Sequence, residues 1–338
     1  MLKRLIYTVI VLVLIMSCAT PEDPVTGNEP ENKIEYIKTV ETGGYVRDLD
    51  GDNNYIVFAN DMAGVGVYYY DEDTVKVKYR EQSFENIRLA RKVKDLDYCV
   101  FYSRYGESAG IYLLNMENID SLYTVFTAKI TGQTVSVNDL KIDVDSEGNI
   151  SPFWSNQNGS NWAVQGGGKM VDIGEYYSWN FESWTRHTCS YDIESFDIDD
   201  TYIYVSKGQL GVDVINYETS EVVKTYDTPG EPLNIRLNGD IIYVAARQDG
   251  FCGLKKDTGE ILFSFDTNGF AQSISFDDKY AVVSSGGGGL YLYDITDSMN
   301  VKFIDNFNDL DYCYDAIIKN DKIYAATRKG IVVLKIKD

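Results

Sequence analysis

At seven places in this chain a glycine opens a short apolar run: Gly66, Gly110, Gly168, Gly211, Gly253, Gly289 and Gly330, as in LGVDVIN, GGLYLYD and KGIVVL. A unit repeated at a near-constant period buries its apolar faces by packing against copies of itself. Between the glycines lie polar turns such as LDGDN at 49–53, DSEGN at 145–149, DIDDT at 197–201, LNGD at 237–240, FDDK at 276–279 and KNDK at 319–322. Runs rich in β-branched and aromatic residues, among them YIVFA, YIYVS, IIYVAA, YAVVSS and IYAAT, follow these turns and read as strands. Helical periodicity is absent. The glycine spacings are 44, 58, 43, 42, 36 and 41 residues, close to the ~40–50 of a four-stranded propeller blade. The pattern predicts an all-β chain folded as a seven-bladed β-propeller of four-stranded antiparallel blades. Six blades is the alternative count if the long third unit is an insertion.

The ends of the chain predict how the ring closes. The last repeat stops after GIVVLKIKD and lacks a fourth strand, whereas KIEYIKTVET at 33–42 precedes the first inner strand and reads like the fourth strands EVVKTYDT and EILFSFDT. The N-terminal strand is therefore expected to complete the last blade and remove an open sheet edge.

Ahead of the repeats, Lys3 and Arg4 precede an apolar stretch from Leu5 to Met16, and Ser17 stands before Cys18. That stretch is about half the ~20 residues needed to span a bilayer, so it reads as a signal peptide. It resembles the leader of a bacterial lipoprotein, in which a small residue precedes the cysteine that is acylated. The resemblance implies residues 1–17 as signal peptide, 18–32 as acylated Cys18 and flexible tether, and 33–338 as propeller. It also implies lipid anchoring to the cell envelope, at the outer membrane since Ala19 rather than aspartate follows the cysteine. The segment ATPEDPVTGNEPEN, with three prolines and no aromatic residue, has the composition of a solvated tether.

The chain has 31 basic and 52 acidic side chains, a net −21 that becomes −23 once Lys3 and Arg4 leave with the leader. Such a surface repels nucleic acid, which is excluded as a partner, and leaves the lipid as the expected membrane contact. Cys99, Cys189, Cys252 and Cys313 fall in different repeats without CxxC spacing, against zinc or a dithiol pair. Cys99 and Cys252 lie in apolar runs and read as buried thiols.

The glycine-led runs resemble the LVIVD repeat family of exported bacterial proteins, in which an apolar strand is followed by GLxVxDV. Gly66, Gly110, Gly211 and Gly289 are each followed five residues later by Asp71, Asn115, Asn216 and Asp294, residues that hydrogen-bond their own turns. Asp172 and Asp257 come one residue early, and Lys335 replaces the acid in the last copy. The family is one of expected propellers, and the resemblance brings no catalytic residues.

All four tryptophans, Trp154, Trp162, Trp179 and Trp184, lie in the third unit among Asn, Gln, Ser and Tyr. Aromatic faces beside amides and hydroxyls suit stacking on sugars or gripping a peptide, and these residues are the ligand-binding candidates; packing beneath inter-blade loops is the competing explanation. Asp143, Asp145 and Glu147 match the first half of a calcium loop, but position twelve is Trp154, so the stretch is read first as a hairpin turn and no cofactor is expected. Aligning the repeats on their turns places Ser195, Asn234, Ser273 and Asp315 near the starts of the innermost strands as funnel-lining candidates. Catalysis finds little support: His187, the only histidine, reads as a polar residue of the WTRHT loop, and the GGGG run at 286–289 lacks the lysine and helix of a phosphate-binding loop. The sequence points to a non-enzymatic binding or interaction module for an envelope protein or glycan. An envelope hydrolase or lyase of lactonase type with a metal in the funnel, and an outer-membrane assembly factor, are the competing classes.

Overall fold

The computed structural model describes residues 30–337 apart from 71–73, 80–84, 106–108, 118–122, 130–135, 159–160, 167–168, 173–176, 181–184 and 190. Residues 1–17, Cys18 and most of the tether therefore lie outside the described residues. Seven antiparallel sheets form a seven-bladed β-propeller. Six blades are simple: Asp48–Tyr79 (blade one), Glu85–Lys129 (two), Phe196–Tyr226 (four), Asn234–Phe265 (five), Ser273–Phe307 (six) and Cys313–Ile336 with Ile34–Val40 (seven). In each, the first strand lies innermost, and innermost strands of successive blades are neighbours around the ring.

Burial explains why the second and third strands read as continuous apolar runs. In Tyr55–Ala59, the residues Tyr55, Val57 and Ala59 pack toward blade two while Ile56 and Phe58 pack toward blade seven. Both faces of a blade are thus buried, and the period-two alternation of a strand feeds two cores at once. The described residues hold seven apolar clusters, each drawn from two adjacent blades. The fourth strands face solvent, with Val222, Val223 and Ile261 exposed.

Blade three, the long unit, is no insertion. Its strands are Val137–Val144, Ile150–Asn158, a third in two pieces (Asn161–Gly166 and Lys169–Asp172) and a fourth in two pieces (Tyr177–Asn180 and Thr185–Cys189). Extra length goes into longer, interrupted strands. Asn156, Gln157 and Asn158 pair with Ala163, Trp162 and Asn161, continuing the hairpin past Ser155, the counterpart of Ser206 and Ser284.

Closure occurs as the chain ends predicted. Ile34 pairs with Ile336 and Val40 with Ile331, so the N-terminal strand is the fourth strand of blade seven. The repeated glycine has a role where a third strand meets its fourth, here and in other blades. Gly289 has φ +85° at the start of its strand, and a Cβ there would collide with the Phe307 carbonyl oxygen of the neighbouring fourth strand. Gly330, at φ +122°, meets Val40 in the same way. The position that needs glycine is filled in blade five by Gly250 rather than Gly253, and in blade one by Gly64 rather than Gly66, as the matching loop-closing bonds to the Gly250 and Gly64 carbonyls show. The spacings between Gly211, Gly250, Gly289 and Gly330 then become 39, 39 and 41 residues.

Gly330→Ala should lower unfolding stability in urea by about 1–3 kcal/mol, the cost of a strained backbone pressed against Val40. Gly287→Ala, in open space, should change it by less than about 0.5 kcal/mol; equal effects would mean the seam does not depend on this glycine.

Candidate functional site

The innermost strands surround a central channel of about 700 Å³. The alternation that sends one set of side chains into the inter-blade cores sends the other to this lumen. Aligned around the ring, one level of the wall holds Asp48, Leu89, Asp139, Ser195, Asn234, Ser273 and Asp315. Four of these are the funnel candidates from sequence; Asp48 and Asp139 share their register and were missed.

Five of these seven side chains stitch their blade to the next. The Leu49 amide donates to Asp315 (3.1 Å), the Ala90 amide to Asp48 (2.8 Å) and the Phe196 amide to Asp139 (3.3 Å). The Ile235 amide donates to Ser195 Oγ (3.3 Å) and the Ile274 amide to Asn234 Oδ1 (3.3 Å). Leu89 cannot accept a bond, and at that interface Arg91 takes over. Its Nε donates to the Leu140 carbonyl of blade three (3.0 Å), Nη1 bonds Asp48 of blade one, and Nη2 lies 3.6 Å from Asp139. Ser273 Oγ is buried without a hydrogen-bond partner among the described residues.

Two residues further along the strands a second level carries Asp50, Arg91, Lys141, Asp197 and Arg236. Asp50 accepts from the Lys92 amide (3.0 Å) and Asp197 from the Leu237 amide (2.9 Å). Arg236 Nη1 bonds Asp139 (3.2 Å) and Ser195 Oγ (3.2 Å), and Lys141 lies 3.5 Å from Asp197. The two best-shielded acids respond in opposite directions. Burial pushes Asp48 up to about 7 against the pull of Arg91, with Asp315 on the neighbouring blade adding to the push. Burial also opposes ionisation of Asp139, but Arg236, Lys141, Arg91 and the Ser195 hydroxyl outweigh it and hold it at about 2.

The tryptophans do not form one patch. Trp154 is 3 % exposed and packs between blades two and three with Val100, Tyr102 and Leu113, which removes it from any contact surface. Trp162 stands in the extended hairpin, its backbone paired with Gln157 and Cys189. Trp179 pairs with Met170, near the opposite end of the same strand pair, roughly 25 Å away along the strand. Trp184 lies outside the described residues.

Asp145 accepts hydrogen bonds from the Glu147 and Asn149 amides (2.9 and 3.0 Å) and from the Asn149 side chain. Asp199 and Asp277 cap the corresponding turns in the same way, so DVDSEGNI is a member of the repeated hairpin turn. Among the described residues no three His, Cys, Asp or Glu gather as metal ligands. His187 is a strand residue rather than a loop residue: it is buried against Tyr217, 5.7 Å between rings, and burial lowers its pKa. Cys99, Cys189, Cys252 and Cys313 are buried free thiols, and burial pushes Cys252 and Cys313 up to about 12. The glycine run at 286–289 closes the connection between two strands of blade six, where the Ser285 amide bonds the Gly289 carbonyl (2.8 Å).

No protein-family model matches the chain, and no curated protein matches it. Its likeness is to solved structures. The computationally designed protein Ika8 is similar over 89 % of this chain and 99 % of its own, with a TM-score of 0.64 and 9 % identity. A chain of the mitotic checkpoint complex is similar over 95 % of each, with a TM-score of 0.65 and 10 % identity. At these identities the likeness is one of fold.

Asp48 generates a pH dependence whose sign follows from its raised pKa. Relative to its ordinary value of 3.8 the folded carboxyl holds its proton up to about 7, so its contribution to stability is full below pH ~4 and is lost as pH rises through 7, with a slope of at most ~1.4 kcal/mol per pH unit. Asp48→Asn should remove that slope. Urea unfolding from pH 4 to 8 should show wild-type stability falling relative to the variant as pH rises, and parallel curves would show Asp48 titrating normally.

Proposed function

We propose that this chain is an exported, lipid-anchored β-propeller that acts as a non-enzymatic binding module at the cell envelope, for a protein or glycan partner. The observation that carries this reading is the blade-three hairpin. Its pairing continues to Asn158 and Asn161, whereas the corresponding pairing stops at Ser103 and Gly110 in blade two and at Ser206 and Val212 in blade four, and it does so on the face where the innermost strands begin. Its backbone pairs Trp162 with Gln157 and Asn161 with Asn158, so one aromatic and several amide residues share this short ladder. A rigid disc presenting such an element selects ligands by the loops it displays.

The hydrolase or lyase reading is less well supported. The polar groups at the funnel positions, Asp48, Asp139, Ser195, Asn234 and Asp315, bond backbone amides of the next blade, which engages the lone pairs a metal or a nucleophile's base would need. Anchoring through Cys18 rests on the leader: Lys3 and Arg4, the apolar stretch and Ser17. The same leader supports an envelope location, and Ala19 after the cysteine favours the outer membrane.

Two experiments test this reading. Cys18→Ser should move the exported protein from the membrane pellet to the soluble fraction, and retention in the pellet would end the lipid-anchor assignment. On glycan and peptide arrays, the fragment from residue 33 should bind, and Trp162→Ala should weaken binding at least about tenfold, the scale of a lost aromatic hot spot, without changing Tm. Trp179→Ala, at the far end of the blade, should leave binding intact. Binding lost only with Trp179→Ala would move the contact to the opposite face, and no binding on either array would remove the reading.

A further inference from the structure

The central channel differs in charge from the molecule around it. The chain has 31 basic against 52 acidic side chains, yet five arginines and two lysines line the channel against five carboxylates. Four of those carboxylates, Asp48, Asp50, Asp139 and Asp315, accept bonds from backbone amides of the adjacent blade, so their oxygens are turned into the wall. On the opposite side of the balance, Lys141 has one loose pair, Asp197 at 3.5 Å. Arg236 bonds Asp139, Ser195 and the Ile235 carbonyl through Nη1, and its Nη2 lies 3.1 Å from the Asn234 side-chain amide, so it contributes positive charge rather than a spare donor. Ser273 adds a buried hydroxyl with no partner among the described residues.

We propose that the channel is a binding site for an oxyanion, a phosphate or carboxylate group, held by Lys141 beside the positive charge of Arg236, with Ser273 Oγ donating a hydrogen bond. Charge-assisted bonds of this kind are the strong ones, and the low-dielectric wall increases their weight. Burial and the neighbouring Arg236 hold Lys141 below its usual lysine range, as expected of a cation short of counter-charge. An acidic exterior around a cationic lumen also favours selectivity, since an anion gains little on the surface and most inside the channel. The inference is independent of the blade-three contact surface: Trp162→Ala should leave it unchanged.

The test uses the fragment from residue 33 and inorganic phosphate at constant ionic strength. Tm should rise saturably with phosphate in the millimolar range, and isothermal titration should show one site. Lys141→Met should weaken phosphate binding at least about fivefold, and Ser273→Ala, which deletes a hydroxyl with no bond to lose, about two- to threefold, consistent with one hydrogen bond to a charged group. Lys302→Met, on an exposed fourth strand, should have no effect. A hexose phosphate run in parallel identifies the source: tighter binding than phosphate indicates a phosphorylated sugar, equal binding a free ion, and both uphold the site. Absence of saturable binding, or equal affinity in Lys141→Met and wild type, overturns it.

Discussion

Blades with two buried faces cannot stand at the end of a stack. Each second and third strand sends alternate side chains into two different cores, so a missing neighbour would expose an entire apolar cluster to water. The pairing of Ile34–Val40 with Gly330–Ile336 answers that constraint, because it places blade seven between blades six and one and leaves no blade terminal. Packing around the whole ring depends on this one antiparallel seam. Gly330 records how close the seam is, since no side chain fits between its backbone and the Val40 carbonyl.

Around the lumen the same problem is solved with polar groups. Innermost strands of adjacent blades diverge too far to pair continuously, and their facing amides would be unpaired without side-chain acceptors. Asp48, Asp139, Ser195, Asn234 and Asp315 supply those acceptors at five interfaces; at the interface after Leu89 Arg91 donates to the Leu140 carbonyl instead, and Ser273 makes no such bond. The belt ties polar side chains into the scaffold and thereby determines which groups are left to meet a ligand. Lys141 and Ser273 are residues of these two levels that make no hydrogen bond within the belt.

Much of the fold was legible in the sequence because it rests on periodicity. Turn-aligned repeats place Ser195, Asn234, Ser273 and Asp315 at one level, and that register extends to Asp48 and Asp139 without further information. At the second level legibility falls. Arg91, Lys141 and Arg236 are two residues along from belt positions, but their convergence on Asp139 joins blades two, three and five, and no local pattern encodes it. Glycine runs misled by a few residues, since LGVDVIN and CGLKKD look alike while the required left-handed position is Gly211 in one and Gly250 in the other. The spatial arrangement of the tryptophans was less legible. Composition grouped them within 31 residues, whereas long antiparallel strands put Trp162 and Trp179 at opposite ends and sank Trp154 into the core. His187 followed the same rule, as a strand residue turned toward an apolar interface.

The seam joins positions 302 residues apart, Ile34 and Ile336. On a chain that emerges from its N-terminus, the first of the described strands to appear is thus the last to acquire a partner, and for most of synthesis it has to wait with one edge and its apolar face unsatisfied. Contacts of such sequence separation form slowly, and waiting edges recruit the wrong strands. Acquisition of the native ring is therefore a late, all-or-none event, and a chain cut short by even one strand is left with an orphaned leading segment rather than a slightly smaller disc.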